Sequence, residues 1–423
     1  MMLDASGVAQ WVAESEGRGH KTPTGVALDR DGNVFLVGDF HDEIDLKPGW
    51  GTQIHRTRGN GNMGGFLLKY DKDSDLLWSK GWAGEGVNES VRASSIAVDP
   101  AGNAYVSGAF DGTVDFGAGS VEQEGQVLSA TEESAFLAKI SPDGSIVWVH
   151  TWGYPGAKSS APAVASSRAG CLFLALRVSG YQMPVEEVEI ASGVRFRVYS
   201  FSSDTALVKL DTNGNVQWIK PLQRVGGGRF VTPGSLATND QGVFFLSGDF
   251  NGSVDFDPGP GSEVIQSVAS DSTGFPDGDS FVTAFDPSGE LLWVQTWVGD
   301  VTRAEIAPVI GTSQPLVITG TFRGDVRLGS DPVSPTISGK DDQDYYLYMA
   351  ACSPEGQLID VRSWGGPDAS LIGGYPCIDQ NGIIYIAGGF EGSVDFYTQT
   401  ESNVQTCQGQ TDAFLFRLPL VKP

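Results

Sequence analysis

Residues 242–250 read GVFFLSGDF, and the same pattern of small and bulky residues returns in three other stretches of the chain. These copies are GNVFLVGDF at 32–40, GNAYVSGAF at 102–110 and GIIYIAGGF at 382–390, with weaker ones, PLVITGTF at 315–322 and GCLFLALRV at 170–178. Their anchor positions recur every 68 to 72 residues: Gly38, Gly108, Leu176, Gly248, Gly320 and Gly388. Alternation of this kind is typical of β-strands. The chain therefore contains six copies of one β-rich repeat.

Three further strands are predicted in each copy. In the first copy, GVALD at 25–29 precedes the quoted strand, FLLKY at 66–70 follows it by roughly 25 residues, and LLWSK at 76–80 comes directly after. Turns of the form Asp-x-x-Gly, at 29–33 and 211–215 for example, join neighbouring strands. The pattern predicts four-stranded antiparallel sheets, and the long segment before each third strand predicts an insertion hairpin.

The first residues of the chain match a fourth strand. LDASGVAQWVAES at 3–15 aligns with LDTNGNVQWIKPL at 210–222, while FLFRLPLVKP at 414–423 is a third strand without a neighbour. We expect the N-terminal strand to pair with the last sheet and to close a ring without unpaired edges.

The predicted fold is therefore an all-β, six-bladed β-propeller, a single domain over residues 1–423 that starts in the middle of a repeat. The predicted blades cover approximately 20–82, 90–152, 160–222, 231–297, 304–364, and 371–423 together with 1–15.

Tryptophans recur at two places in the repeat. The first set lies on the fourth strand: Trp11, Trp78, Trp148, Trp218 and Trp293. The second set follows four residues later: Trp82, Trp152, Trp297 and Trp364. An aromatic residue at a fixed place in each blade is predicted to pack one blade on the next. Stacking on a carbohydrate is the alternative.

The repeat resembles that of bacterial SBBP-type β-propeller repeat proteins. The fourth copy carries the likeness best, with GVFFLSGDFNGSVDFDPGPG at 242–261 and DSFVTAFDPSGELLWVQTWVG at 279–299. It covers nearly the whole chain, and weakly the third copy. The resemblance implies an exported protein that is extracellular, periplasmic or at the cell surface, although the chain shows no leader.

The composition of the chain restricts the classes of partner that it can bind. The formal net charge is −25, from 52 acidic and 27 basic residues, which disfavours nucleic acid and anionic membranes. No stretch is apolar enough to span a bilayer. The four cysteines are far apart and form no CxxC pair, which disfavours a zinc site: Cys171, Cys352, Cys377 and Cys407. A Cys377–Cys407 bridge stays open, but buried free thiols are favoured.

The candidate site residues lie at the start of the insertion hairpins, in the motif Phe-x-Gly-x-Val-Asp. Its aspartates are Asp45, Asp115, Asp255 and Asp395, with Asp257 and His41 nearby and Arg327 at the matching place in the fifth repeat. The carboxylates either form an acidic face for a divalent cation or a basic partner, or each one caps its own hairpin. A motif repeated in nearly every blade favours capping. Arg323 and Arg327 either anchor an anionic ligand or pair with neighbours.

Two functions stay open. The sequence has no HExxH, GxSxG or phosphate-loop motif, which favours a non-catalytic binding or scaffolding protein that presents its acidic loop face to a protein or glycan. The alternative is a propeller hydrolase or lyase that uses central acids. No cofactor is expected, with calcium left open, and a monomer is expected.

Overall fold

The protein is described here by a computed structural model, in which the chain is built from β-strands. The described residues are 2–3, 9–11, 17–46, 53–57, 62–84, 86, 88–117, 127–154, 156–180, 186–191, 194–198, 202–225, 228–268, 278–307, 315–329, 331, 333–339, 344–366, 369–378, 382–396 and 404–419. Among them no helix is long and apolar enough to cross a membrane.

A short N-terminal pair precedes the repeats. The fourth and fifth repeats form one eight-stranded sheet through the common strand β25, and its two halves are called sheets 4 and 5 here; each of the other repeats contributes one main sheet. The N-terminal pair is β1 (Met2–Leu3) and β2 (Ala9–Trp11). Sheet 1 has β3 (Lys21–Leu28), β4 (Val34–His41), β7 (Met63–Tyr70) and β8 (Leu76–Trp82), with the hairpin β5 (Glu43–Asp45) and β6 (Ile54–Arg56). Sheet 2 has β9 (Val91–Val98), β10 (Ala104–Asp115), β11 (Val127–Ile140) and β12 (Ile146–Trp152). Sheet 3 has β13 (Ala157–Ser166), β14 (Cys171–Gly180), β17 (Ser203–Asp211) and β18 (Val216–Pro221), with the hairpin β15 (Glu186–Ala191) and β16 (Val194–Val198).

The later repeats follow the same plan. After β19 (Gln223–Arg224), sheet 4 has β20 (Val231–Thr238), β21 (Phe244–Phe250), β24 (Asp279–Phe285) and β25 (Leu291–Ile306), with the hairpin β22 (Ser253–Asp255) and β23 (Val264–Gln266). Sheet 5 uses the second half of β25 with β26 (Leu316–Leu328), β28 (Tyr346–Cys352) and β29 (Leu358–Trp364), and β27 (Thr336–Ser338) pairs with β26. Sheet 6 has β30 (Ser370–Ile378), β31 (Ile383–Glu391) and β34 (Asp412–Pro419), with the hairpin β32 (Ser393–Asp395) and β33 (Val404–Thr406).

The strands of each sheet are antiparallel and follow chain order, as in β3-β4-β7-β8. The chain divides into two compact units. One comprises Met1–Ser166, Gly170–Ser202 and Val208–Ile219, and the other comprises Ser167–Ala169, Ser203–Leu207 and Lys220–Pro423. Within each unit, consecutive sheets pack on one another in a propeller-like arrangement. The all-β prediction and the insertion hairpins are confirmed.

The anchor glycines make room for an aromatic ring inside each sheet. Gly248 lies opposite Phe281 on the neighbouring strand, and a Cβ at Gly248 would come within 2.8 Å of that ring and 2.1 Å of the Thr232 carbonyl oxygen. The same pairs recur in three other sheets: Gly38 with Phe66, Gly108 with Phe136, and Gly388 with Phe414. In the third repeat, the glycine position holds Leu176 and the phenylalanine position holds Ala206, both fully buried. The space between the two strands is therefore filled by one large side chain, which comes from one strand in most repeats and from the other strand in the third repeat.

The fourth-strand tryptophans join one sheet to the next. The Trp78 indole N–H of sheet 1 donates to the Pro142 carbonyl of sheet 2 at 2.9 Å, and Trp293 of sheet 4 donates to Pro354 of sheet 5 at 2.9 Å. Both carbonyls belong to the turn between the third and fourth strands. The second set of tryptophans is at least nine-tenths buried: Trp82, Trp152, Trp297 and Trp364. Packing between sheets is therefore confirmed for these tryptophans, and their burial leaves no ring of the second set open to a sugar.

The closing strand pair of the predicted ring is not among the strand pairs that the structure describes. Trp11 lies opposite Met2, because β1 and β2 form a local antiparallel pair, and sheet 6 has three described strands. Six blades in one closed ring therefore stay a prediction, as does the single domain.

All four cysteines are free, so no Cys377–Cys407 bridge is formed. The prediction of buried thiols is right only for Cys352. Cys377 is exposed on β30, and Cys171 and Cys407 are half-buried.

The contact between a tryptophan and the next turn is tested by two glycine substitutions. Gly356 has φ +85°, and a Cβ there would lie 2.5 Å from Cδ2 of Trp293; Gly242 has φ +80° but its nearest contact would be 3.5 Å away. Alanine costs roughly 1–2 kcal/mol at either left-handed position, and overpacking adds a similar amount at the first. We expect Gly356→Ala to lower the urea-unfolding free energy at least twice as much as Gly242→Ala. Equal losses would contradict the contact.

Candidate functional site

The insertion hairpins begin beside the point where the preceding sheet ends. In four of the repeats, motif residues of the hairpin pair with the end of the fourth strand of the previous repeat or with the segment that follows it. The paired residues are Gly84 with Val114, Gln223 with Asp255, Val298 with Arg327, and Gly365 with Asp395. In these repeats the insertion hairpin therefore lies next to the link between two consecutive sheets.

The motif aspartates hold their own hairpins in shape. Asp45 accepts a hydrogen bond from the Gln53 backbone N–H at 3.0 Å, and Asp115 accepts one from Gly117 at 2.9 Å. Asp255 accepts the Glu263 N–H at 2.8 Å. These are the contacts of the capping interpretation, because each carboxylate satisfies backbone donors of its own loop.

The remaining predicted residues lie close to these caps. Asp257 accepts the Gly259 N–H at 2.8 Å inside the fourth hairpin. Asp395 ends β32, and its N–H points at the Gly365 carbonyl. His41 ends β4, where its backbone N–H donates to the His20 carbonyl at 2.9 Å. The structure thus distributes the predicted residues over separate hairpins.

Sequence reasoning missed an aliphatic residue that faces each motif aspartate across the hairpin. The exposed fractions are 38% for Ile54, 53% for Val127, 51% for Val264 and 58% for Val404. They lie opposite Asp45, Asp115, Asp255 and Asp395, respectively. Exposed aliphatic residues are ordinary when scattered, but these four occupy one position of the repeat. The signal in the sequence was a branched residue at the start of each returning hairpin strand.

The two arginines of the fifth repeat behave differently. Arg323 forms an ion pair with Asp300 at 2.5 Å and lies over the Tyr345 ring, 4.8 Å from its centroid. The Nε of Arg327 is buried and has no hydrogen-bond partner. Arg327 lines a cleft of about 480 Å³ between β23, β25 and the loop that follows β26. Neighbour pairing is therefore observed for Arg323 only.

Asp39 is a buried carboxylate that bridges two sheets. Its Oδ1 accepts the Ala93 N–H of β9 at 2.7 Å, and 8% of the residue is exposed. Burial raises the pKa of Asp39 to about 6, although the Ala93 N–H and the charge of Arg92 act in the opposite direction. Loss of hydration disfavours the charged form and so accounts for the direction.

Groups that a hydrolase requires are only partly brought together in the first hairpin. The Ser79 hydroxyl donates to Oε1 of Gln53 at 2.8 Å, and Nε2 of Gln53 lies 3.5 Å from Nε2 of His55. Burial lowers the pKa of His55, while Asp45 raises it in part. A nucleophile needs direct contact with its base, and here an amide lies between the hydroxyl and the imidazole. Within the described part of the chain, no group of three or more His, Cys, Asp or Glu residues is placed to hold a metal ion.

The chain matches no protein-family model and no curated protein. Similar solved structures include a protein of unknown function from Bacteroides caccae, with 11% identity over 70% of this chain and 89% of that chain and a TM-score of 0.25. A protein of unknown function from Dyadobacter fermentans has 10% identity over 82% and 95%, with a TM-score of 0.38. A mutant of the Synechocystis apocarotenoid oxygenase has 10% identity over 93% and 71%, with a TM-score of 0.40. At these TM-scores the likenesses decide neither function nor site.

The raised pKa of Asp39 predicts a pH-dependent gain in stability on Asp39→Asn. Because protonation favours the folded state, the wild type loses stability as pH rises from about 4 to 6, and the variant lacks this loss. The unfolding free energy of Asp39→Asn relative to wild type should rise across that window by up to roughly 3 kcal/mol. Urea unfolding from pH 3.5 to 7.5 measures it. Asp31→Asn, on the exposed β3–β4 turn, controls for the removed charge, and the same rise in both variants would contradict the assignment.

Proposed function

We propose that the chain is a non-catalytic binding or scaffolding β-propeller, exported from the cell, that presents its insertion hairpins to a protein or glycan partner. One observation carries the proposal: an exposed aliphatic side chain recurs opposite the motif aspartate in four hairpins, which are Ile54, Val127, Val264 and Val404. Recurrence at one position provides several copies of one contact, which suits a repeating or extended partner.

The first strand of the hairpin pairs with the preceding sheet, whereas the returning strand pairs only with the first strand among the described residues. In the fourth repeat Val254 pairs with Arg224, and the loop of the hairpin is capped by the aspartate. Within the described residues the returning strands β6, β23 and β33 each pair with one strand, so the other backbone edge of each has no described strand beside it. An unpaired strand edge with exposed side chains is a recurrent way to take up an extended chain.

The negative charge of the protein favours some classes of partner over others. The net charge is −25, and the carboxylates of Asp45, Asp115 and Asp255 accept hydrogen bonds from their own hairpin loops. A basic protein surface or an uncharged glycan is therefore favoured over polyanions. The aliphatic residues supply the contact area, and the surrounding acids supply long-range attraction.

Substitution of the four aliphatic residues tests the proposal. A panel of glycans and basic peptides is probed with the labelled full chain, and we expect saturable binding to at least one class. The variant Ile54→Asp, Val127→Asp, Val264→Asp, Val404→Asp should bind at least about tenfold more weakly, a loss of about 1.4 kcal/mol. The control Leu77→Asp, Val147→Asp, Val216→Asp, Leu292→Asp replaces exposed residues of fourth strands. It should bind within about twofold of wild type.

Three results would contradict the proposal: no binding to any member of the panel, equal losses in both variants, or cleavage of a bound glycan. The hydrolase or lyase alternative predicts in addition that calcium raises the melting temperature by several degrees. That shift should then disappear in Asp255→Asn, Asp395→Asn.

We also propose that six sheets close into one ring through the N-terminal strand. Each terminal sheet exposes apolar side chains that inner sheets bury. Val26 of β3 is 65% exposed, whereas Ile96 at the same place in β9 is 9% exposed, and Tyr375 of β30 is 60% exposed. A ring in which β2 lies beside β34 would cover these surfaces. Trp11 would then lie opposite Arg417, as Trp78 lies opposite Lys69.

A designed disulfide tests ring closure. Opposite residues of antiparallel strands have Cα atoms about 4.5–5.5 Å apart, within reach of a disulfide. In a background with Cys377→Ser and Cys407→Ser, we expect mild oxidation to link the pair Trp11→Cys, Arg417→Cys within one chain, as peptide mass spectrometry would show. The control pair Gln10→Cys, Arg417→Cys is out of register by one residue. Equal linkage in both pairs, or none in the first, would contradict closure.

A further inference from the structure

We infer that the cleft around Arg327 binds a small ligand that carries one carboxylate and neighbouring hydroxyl groups, the chemistry of a hexuronic acid. This site shares Val264 with the hairpin contacts proposed above but differs from them in kind, because it is built around a cation. The inference starts from the position that Arg327 occupies in the repeat.

Arg327 stands where the other hairpins have their capping aspartate. Arginine has no acceptor and cannot bind the loop N–H groups as Asp255 does. The loop of the fifth repeat is held by other contacts instead. Asp331 accepts the Val333 N–H at 3.0 Å, and the Leu328 N–H donates to the Pro335 carbonyl at 2.8 Å. The arginine is therefore not required for the shape of its hairpin, and its guanidinium is available for another role.

Other arginines of the same unit are paired. Arg323 pairs with Asp300 at 2.5 Å, Arg362 with Asp360 at 2.9 Å, and Arg168 with Asp240 at 3.1 Å. The buried Nε–H of Arg327 has no acceptor. A donor that is removed from water and left without a partner is costly, so an acceptor that enters the cleft is favoured. The Nε–H and one Nη–H of a guanidinium are parallel donors, which match the two oxygens of a carboxylate.

The cleft has the volume of a small-molecule site and a mixed polar and apolar lining. Its volume of about 480 Å³ falls within the usual range for such sites. Val264 and Val298 provide apolar walls, and Gln266 and Ser334 provide polar groups that can bond to hydroxyls. The lining also includes the acids Glu263 and Asp331. Carboxylates are acceptors only, so they suit the hydroxyl donors of a sugar.

The acids also decide which anion is favoured. Glu263 and Asp331 share the cleft with a single arginine, and the whole chain has a net charge of −25. Repulsion rises with each charge on the ligand, so a phosphate or sulfate dianion is disfavoured relative to a monoanionic carboxylate. A ligand with one carboxylate and several hydroxyls satisfies both the arginine and the acids.

Calorimetric titration of the full chain with glucuronate tests the inference, with glucose and sulfate as comparison ligands. We expect glucuronate to bind with a Kd on the order of 1 mM and at least about tenfold more tightly than either comparison ligand. Arg327→Gln should weaken glucuronate at least about tenfold. Arg327→Lys keeps the charge but not the paired donors, and it should recover only part of the affinity. Arg323→Gln, which removes an arginine that is already paired, should bind within about twofold of wild type.

Each other outcome overturns the inference. Equal affinity for glucose would show that the carboxylate is not recognised, and equal affinity for sulfate would show a general anion site. Unchanged affinity in Arg327→Gln would place the ligand elsewhere, and absence of glucuronate binding would leave the cleft without this ligand class. Melting temperatures of the three variants establish that each is folded. Absence of binding to the glycan and peptide panel by the wild-type chain, with glucuronate affinity retained, would overturn only the earlier proposal.

Discussion

The contact between a fourth-strand tryptophan and the turn of the next sheet is the interaction on which the rest of the structure depends. It sets an indole ring against a left-handed glycine of the next repeat, as for Trp293 with Gly356 and Trp148 with Gly214. For Trp78 and Trp293 the indole N–H also donates to a carbonyl of that turn. Third-strand lysines reinforce it, because Lys139 donates to the Thr212 carbonyl at 2.8 Å. Stability in such an array comes largely from contacts between neighbours. A terminal sheet therefore leaves exposed what an inner sheet buries.

In the insertion hairpins, different residues hold the loop in shape and face a possible partner. Aspartates such as Asp45 and Asp255 are engaged by backbone donors of their own loops, so their negative charge stabilises shape before it attracts any partner. On its other strand the hairpin exposes an aliphatic residue, and among the described strands none pairs with the second edge of that strand. In the fifth repeat Arg327 replaces the aspartate, and Asp331 holds the loop instead. Arg327 therefore takes no part in holding its hairpin loop.

Much of the candidate site could be predicted from the sequence, but not which charges are free. The motif located the hairpins, and its repetition correctly favoured capping by Asp115 and Asp255. The sequence showed that Arg323 and Arg327 depart from the acidic pattern of the other repeats. It did not show which of the two arginines is paired with an acid. Arg323 finds Asp300 because β25 continues from one sheet into the next and places the two residues opposite each other. The register of that pair depends on the fold.

The sequence by itself determined the strands, the turns and the insertion hairpins, because these depend on alternation and turn residues within a short stretch of chain. The tertiary structure alone decided which side chains are buried and which charges are paired. Asp39 owes its raised pKa to burial against the next sheet, where its carboxylate meets Ala93, 54 residues away, and Trp78 finds Pro142 at a separation of 64 residues. Contacts at such separations arise only when one sheet packs on the next. A local pattern of residues does not specify that packing.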